Sequence, residues 1–422
     1  MGIHGFHKWI DELKLRTYIR NRQKYNILAI DLNGILHTSI RKAKSNSSFF
    51  KAIKKEIDII LKVIVSNQVA FFIDGTAPFA KLRTQISRRR QRSFNGDTLD
   101  PIQITPGVKN MIELSNFLRK TYPRVYLSDS SQPGEGEIKL INWLLKIKST
   151  GKIAIYGGDA DLVLIATAAR PLFNISIVSK DKKGFNWINV DNLWKMLPGT
   201  REEITLVCML LGNDYLPRIP GINYNNIWKM YSKRLFRNDK LCYKNWIEYF
   251  QKIDSRKLNP KENSDGNPNE YFKGLLWCLS MYSKGVCDDY SFVYKGKAPS
   301  LNSCIEFFQS DPKIIKPKNN MKPLTPEEAA LILMPKWGVS FLPDKLKQAM
   351  QRPDLIHWYP DECHRCINFR KEVSQLNKLH AENKEYTAEI AELNNKYHQH
   401  KKDFHPEIPI PIKEIRTFLK EI

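Results

Sequence analysis

Three times in its first half the chain repeats one arrangement. An apolar run ends at or near an aspartate, a glycine lies close by, and a segment with helical spacing follows. The runs are Tyr25–Leu32 with Asp31, Gln68–Ile73 with Asp74, and Lys152–Tyr156 leading into Gly157-Gly158-Asp159-Ala160-Asp161. Short continuous apolar runs between turn signals read as strands buried on both faces. Strands that alternate with helices argue for a largely parallel sheet. The expected fold class is therefore α/β, a mostly parallel sheet flanked by helices. In such a sheet ligands sit outside the carboxyl ends of the strands, so Asp31, Asp74 and Asp159 are expected along one edge.

Further acids join them. Gln132-Pro133-Gly134-Glu135-Gly136-Glu137 breaks the chain and starts an amphipathic helix, Glu137 to about Ile147, that leads back to the Asp159 strand. An apolar helix over Glu202–Leu211 ends at Gly212-Asn213-Asp214. Asp214 thus stands just past a helix C-terminus, where the dipole disfavours an anion. Asp31, Asp74, Glu135, Glu137, Asp159, Asp161 and Asp214 would repel one another unless cations lay between them, and hard oxygen donors suit Mg²⁺ or Mn²⁺. Such a carboxylate set points to phosphodiester hydrolysis with two metal ions. No Ser/His/Asp or Cys/His constellation competes, and no GxxxxGK[ST] loop argues for ATP hydrolysis.

Against this acidic focus the chain as a whole is basic. Its 422 residues carry 67 Lys and Arg against 44 Asp and Glu, a net charge of +23. A globular chain so charged meets a polyanion, nucleic acid first. Lys81, Arg83, Arg88, Arg89, Arg90 and Arg92 fall within twelve residues just after Asp74. On a helix Lys81, Gln85, Arg88 and Arg89 share a face and suit a phosphate. There is no apolar leader, no run of transmembrane length and no myristoylation pattern, since position 6 is Phe6. Seven scattered cysteines fit a reducing compartment. The expectation is a cytoplasmic protein with no membrane partner.

The remainder is read more coarsely. Helices are expected over residues 6–20, 49–66, Pro106–Leu118 and Val190–Met196, and strands over Arg124–Leu127 and Ile175–Val178. Residues 254–270 and 311–323 read as loops. Thr325-Pro326-Glu327-Glu328 is a helix start. The aromatics of 271–295 are expected in the core, with base stacking as the other use. Cys363-His364-Arg365-Cys366 has metal-like spacing, but His380, His398, His400 and His405 are far along the chain, so it stands as half a motif. Residues 367–402 read as one long polar helix, packed back on a monomer or paired with a second chain. Three regions are expected: a catalytic domain at 1–232, a mostly helical region at 233–366 packed on it, and a polar helix and tail at 367–422.

The motifs MGIHGFHKWIDE, LAIDLNGILH, FFIDGTAPFAKLRTQISRRR, ITPGVKNM, QPGEGEIKL, IYGGDADLVLIA and LLGNDYLP, in that order, resemble those of Xrn-type 5′→3′ exoribonucleases. Weaker likeness runs through GLLWCLSMYSKG, LTPEEAALILMP and WYPDE, so that residues 1–362 are covered. The resemblance implies a PIN-like (5′ nuclease) fold and removal of mononucleotides from single-stranded RNA with a 5′-monophosphate, using two Mg²⁺ ions, with Mn²⁺ as the alternative. It puts all seven acids on metal-binding positions. It makes Lys81, Gln85, Arg88 and Arg89 the 5′-phosphate pocket and His37 the residue that stacks on the terminal base. The chain departs from the pattern in three ways: the long charged insertion before ITPGVKNM is a short loop, no tryptophan follows Trp358, and the large C-terminal extensions are absent. With these departures the resemblance implies a reduced, core-only member, with a viral source, and hence host cytoplasm, as one option. Two other readings stay open, a flap-type 5′ nuclease acting on DNA and a catalytically inactive RNA-binding protein.

Overall fold

The computed structural model describes residues 3, 5–90, 98–148, 151–254, 266–361, 363–382, 386–405 and 408–422. Gly2, Arg92, Glu362 and residues 255–265 of the expected loop lie outside them.

Seven strands form the central sheet: β1 (Arg16–Tyr18), β2 (Gln23–Asp31), β3 (Ile64–Phe72), β4 (Tyr126–Ser128), β5 (Ile153–Tyr156), β6 (Ile175–Asp181) and β7 (Gly184–Asn189). Their spatial order is β1-β7-β6-β5-β2-β3-β4. The run from β6 to β4 is parallel, and β7 and β1 close one edge antiparallel. The expectation of an α/β fold with a mostly parallel sheet flanked by helices is met. The helices of this half are α1 (Phe6–Glu12), α2 (Asn33–Ile40), α3 (Asn46–Val63), α4 (Phe79–Arg90), α5 (Lys109–Thr121), α6 (Gly136–Ile147), α7 (Ala160–Ala168), α8 (Val190–Met196) and α9 (Arg201–Met209).

Alternation along the strands sends side chains into two cores. On one face Ile27, Ala29, Ala70, Phe72, Ile153 and Ile155 meet α1, α6, α7 and α9. On the other Leu28, Ile30, Phe71 and Ala154 meet α2, α3 and α5. Both cores continue into the second half of the chain. Tyr271, Phe272, Trp277 and Tyr282 of the Pro268–Lys284 helix are buried in the first core, as expected of core aromatics. Trp358, Ile415 and Phe418 are buried in the second.

The chain moves outward from β2 to β3 and β4, then crosses back through α6 to β5 on the other side of β2. The sheet's direction of winding therefore reverses beside β2, which is where an open α/β sheet leaves a crevice at its carboxyl edge.

Three expectations need correction. The helix expected over 6–20 stops at Glu12; Lys14 adopts a left-handed conformation (φ 55°) and the chain turns into β1. Strands β1 and β7 were not foreseen, because each is short and half polar. The long helix expected over 367–402 is two helices, His364–Glu382 and Thr387–Phe404, which pack on each other. Phe369 of the first meets Tyr397 of the second at 5.9 Å.

Helix α7 is buried along its whole length. Its C-terminal end is held by Arg201, itself 3% exposed. Arg201 Nε, Nη1 and Nη2 donate to the carbonyls of Thr167 (2.6 Å), Leu172 (2.7 Å) and Ala166 (2.9 Å). A cation at a helix C-terminus is favoured by the dipole and satisfies orphan carbonyls. Replacing it by an apolar side chain strands those acceptors, at about 1–3 kcal/mol for each buried group left unpaired. Arg201→Met is therefore expected to lower unfolding free energy by about 3 kcal/mol in urea denaturation. A loss below about 1 kcal/mol would show that water or relaxation satisfies the carbonyls.

Candidate active site

All seven acids singled out in the sequence line one cavity, together with Asn33 and Lys81. The cavity holds about 40 Å³, room for about three waters or ions. Each acid reaches it by a separate device. Asp31 is the last residue of β2, and Asp74 lies two residues past the end of the adjacent β3. Glu135 and Glu137 flank Gly136 at the start of α6, and Asp159 and Asp161 occupy the start of α7. Those four acids meet the positive ends of helix dipoles. Asp214 comes from the turn after α9. There Asn213 Oδ1 accepts from the backbone N–H of Tyr215 and of Leu216, both at 2.8 Å, and Gly212 takes φ 86°.

The glycine between the two glutamates is fixed by space. A Cβ on Gly136 would lie 2.7 Å from Asn33 Nδ2 and 3.0 Å from Asp31 Oδ1. Without it the Gly136 N–H donates to Asp74 Oδ1 at 2.6 Å.

Internal donors hold the carboxylates apart. Asn33 Nδ2 donates to Asp31 Oδ1 (2.6 Å) and Asp74 Oδ1 (2.7 Å), while its Oδ1 accepts from the Asp74 N–H at 2.9 Å. Lys81 Nζ pairs with Glu135 Oε1 and with Asp214 Oδ2, the latter at 2.9 Å. The Tyr215 hydroxyl donates to Glu135 Oε2. The Ile3 N–H donates to Asp161 Oδ1 at 3.0 Å. Asn33, Tyr215 and Ile3 were not foreseen as site residues. Asn33 follows an acid at a strand end, and Tyr215 adjoins Asp214, but neither neighbour signals which acid it serves.

Among the described residues Lys81 is the one cationic residue lining the cavity, with seven carboxylates around it. Burial, then Asp74, pushes the Asp31 carboxyl up to about 8. Burial, then Asp214, pushes Asp161 up to about 7. Burial also raises Asp74 and Glu135, and raises Glu137 well above the usual carboxylate range. Burial opposes the charge on Lys81, yet Glu135, Asp214 and Glu137 together hold its pKa well above normal. Asp159 is exposed and forms the mouth. An all-oxygen donor set with an excess of charge and room for small ions fits hard divalent cations.

Of the expected phosphate pocket, all four residues lie on α4. Lys81 points into the acids, Gln85 and Arg89 are half-buried, and Arg88 is exposed. Arg89 Nε donates to Thr105 Oγ1 at 3.0 Å. His37 is half-buried on α2. Arg90 and Arg83 leave this face. Arg90 stacks on Trp358 at 4.5 Å, and Arg83 donates to the Ile408 carbonyl at 2.6 Å.

The family described as XRN 5′-3′ exonuclease N-terminus matches residues 1–97 and 90–178. The 5′-3′ exoribonuclease 1 of Saccharomyces cerevisiae is 24% identical over 335 residues, 61% of this chain and 22% of that protein. The 5′-3′ exoribonuclease 2 of Debaryomyces hansenii is 25% identical over 306 residues, 48% of this chain and 30% of that protein. The chain spans between about a fifth and a third of the length of these relatives. Among solved structures, the catalytic core of Rad2 in complex with DNA substrate is similar with TM-score 0.44 and 15% identity, covering 73% of this chain and 94% of that one. The T5 D15 protein co-crystallised with metal ions is similar with TM-score 0.37 and 12% identity, covering 68% and 98%.

The raised carboxyl pKa values give a pH signature. From about pH 4 to about pH 8 the metal-free folded state holds more protons than the unfolded chain, so these groups make stability fall as pH rises. Divalent cations compete with those protons. The rise in melting temperature on adding Mn²⁺ or Mg²⁺ is therefore expected to grow from about pH 5.5 to about pH 8. An increment that is flat over this window would contradict a cavity in which protons and cations share the same oxygens.

Proposed function

We propose that the chain, whose residues 1–178 match the XRN 5′-3′ exonuclease N-terminus family, is a 5′→3′ exoribonuclease that hydrolyses single-stranded RNA bearing a 5′-monophosphate to mononucleotides. The observation that carries this reading is the convergence of seven acids on one small cavity, with a basic helix running away from its rim. A carboxylate cavity in a chain of net charge +23 separates two tasks. The basic surface gathers phosphates, and the acids do not repel them once cations are bound.

Asp31, Asp74, Glu135, Glu137, Asp159, Asp161 and Asp214 would hold two Mg²⁺ or Mn²⁺ ions, which supply an activated water and stabilise the departing oxygen. The chain's own groups then set where the cut falls. Gln85, Arg88 and Arg89 on α4 bind the 5′-phosphate through charge-assisted hydrogen bonds. Lys81 bridges Glu135 and Asp214 at the junction of that pocket with the acids, and so ties the anchor for the 5′ end to the position of the carboxylates. His37 stacks on the first base. With the end anchored, the bond next to the first nucleotide lies over the acids. Each cut leaves a new 5′-monophosphate, so the same contacts serve every round. Asn33 and Tyr215 are positioning residues, since they touch carboxylates and not the RNA.

Asp159→Asn combined with Asp161→Asn is expected to keep RNA binding and lower the cleavage rate on the order of 10³-fold, the size of several kcal/mol of lost charge stabilisation. Unchanged degradation would exclude the acid cavity as the site of chemistry. Arg88→Ala removes a charge-assisted bond worth about 1.5–3 kcal/mol. It is expected to reduce the preference for 5′-phosphate over 5′-hydroxyl RNA by about 10- to 100-fold. Discrimination equal to wild type would move the phosphate pocket elsewhere.

A further inference from the structure

The half-motif at Cys363 and Cys366 is completed in space. Cys363 immediately precedes the His364–Glu382 helix and Cys366 lies in its first turn. His400 lies just before the last turn of the Thr387–Phe404 helix, and His405 follows its end. Because the two helices pack on each other, these helix ends meet. One ligand atom from each of Cys363, Cys366, His400 and His405 lies within 4.8 Å of all the others.

We propose that these four side chains hold a structural Zn²⁺ ion, remote in chemistry and place from the acid cavity. Zinc with two thiolates and two imidazoles has bonds of about 2.3 and 2.0–2.1 Å, so the edges of its ligand tetrahedron run about 3.3–3.8 Å. Cys363 Sγ and His400 Nε2 are already 3.4 Å apart, and the remaining edges need closure of about 1 Å. The spacing Cys-x₂-Cys then His-x₄-His is that of four-ligand structural sites. His400 is 8% exposed, so its ring is held by packing at the meeting helix ends. Soft sulfur and nitrogen donors select zinc over the hard cations that suit carboxylates, so the two sites do not compete for one metal. Four protein ligands close the coordination sphere, which makes the ion a staple and not a Lewis acid.

The staple has something to hold. A cavity of about 710 Å³ lies between α4 and this helix pair. Arg83 and Arg90 line it from α4, and Arg370 and Lys401 line it from the pair. Arg370 Nη1 donates to the Arg90 carbonyl at 2.8 Å. Fixing the helix ends fixes that basic wall against the helix assigned to the 5′-phosphate.

The test is metal content of the full chain, purified without chelator and gel-filtered, by plasma mass spectrometry. One zinc per chain is expected in the wild type and in the Asp159→Asn/Asp161→Asn variant, and none in Cys363→Ser/Cys366→Ser. Exchange of Co²⁺ into the wild type should give an intense thiolate-to-cobalt charge-transfer band, which carboxylate ligands cannot produce. Should the double serine variant fail to fold, the cobalt spectrum of the wild type and the zinc content of His405→Ala, expected to fall, decide the matter. Wild-type protein without zinc and without the cobalt band would overturn the proposal. So would zinc lost with the acids but kept without the cysteines, or a Cys363–Cys366 disulfide in metal-free wild type.

Discussion

Like-charge repulsion at one edge of the sheet is the constraint on which the rest of the structure depends. Seven carboxylates share a cavity of about 40 Å³ with one lysine. Two like charges about 4 Å apart repel by several kcal/mol at a protein surface, so such a cluster survives folding only with compensation. The chain compensates in three ways. Protons stay on Asp31 and Asp161 toward neutral pH. Lys81, Asn33 and Tyr215 place donors between the acids. Helices α6 and α7 aim their positive ends at the cavity. The first two are places where a divalent cation can take over, since protons leave and donors are displaced when it binds.

The scaffold serves that edge. Strand β2 sits between β3 and β5, so Asp31, Asp74 and Asp159 are brought together by three neighbouring parallel strands. Helix α6 carries Glu135 and Glu137 in from the far side, because the chain must cross from β4 to β5 over β2 and β3. Arg201 fixes the other end of the helix that bears Asp161. The second half of the chain is not independent of this core. Its aromatics complete both cores, and Phe418 near the C-terminal end is 2% exposed within the second of them.

Much of this was legible in the sequence, for identifiable reasons. Buried parallel strands leave continuous apolar runs, so β2, β3 and β5 and the acids at their ends stood out. Acids clustered within Gly-punctuated turns marked α6 and α7. Elements stabilised by partners distant in sequence were not legible. Strand β1 has three residues and exists because β7 pairs with it. Asn33, at the start of α2, and Tyr215, in a turn, carry no signal until the fold sets them against Asp74 and Glu135. Cys363 and His400 are separated by 37 residues and meet only because the expected single helix folds back on itself. Spacing rules see one half of such a site. The direction of Lys81, into the acids, was also hidden, because helical periodicity assigns a face and not a depth.

The central claim is that this edge degrades RNA from a 5′-monophosphate end. A time course with Mg²⁺ on 3′-end-labelled single strands tests it most directly, comparing 5′-monophosphate, 5′-triphosphate and 5′-hydroxyl RNA with a 5′-monophosphate DNA of the same sequence, and resolving the released products. The account predicts mononucleotides from the 5′-monophosphate RNA, with the other ends largely resistant. Equal attack on the DNA strand, or internal cuts indifferent to the 5′ end, would contradict it.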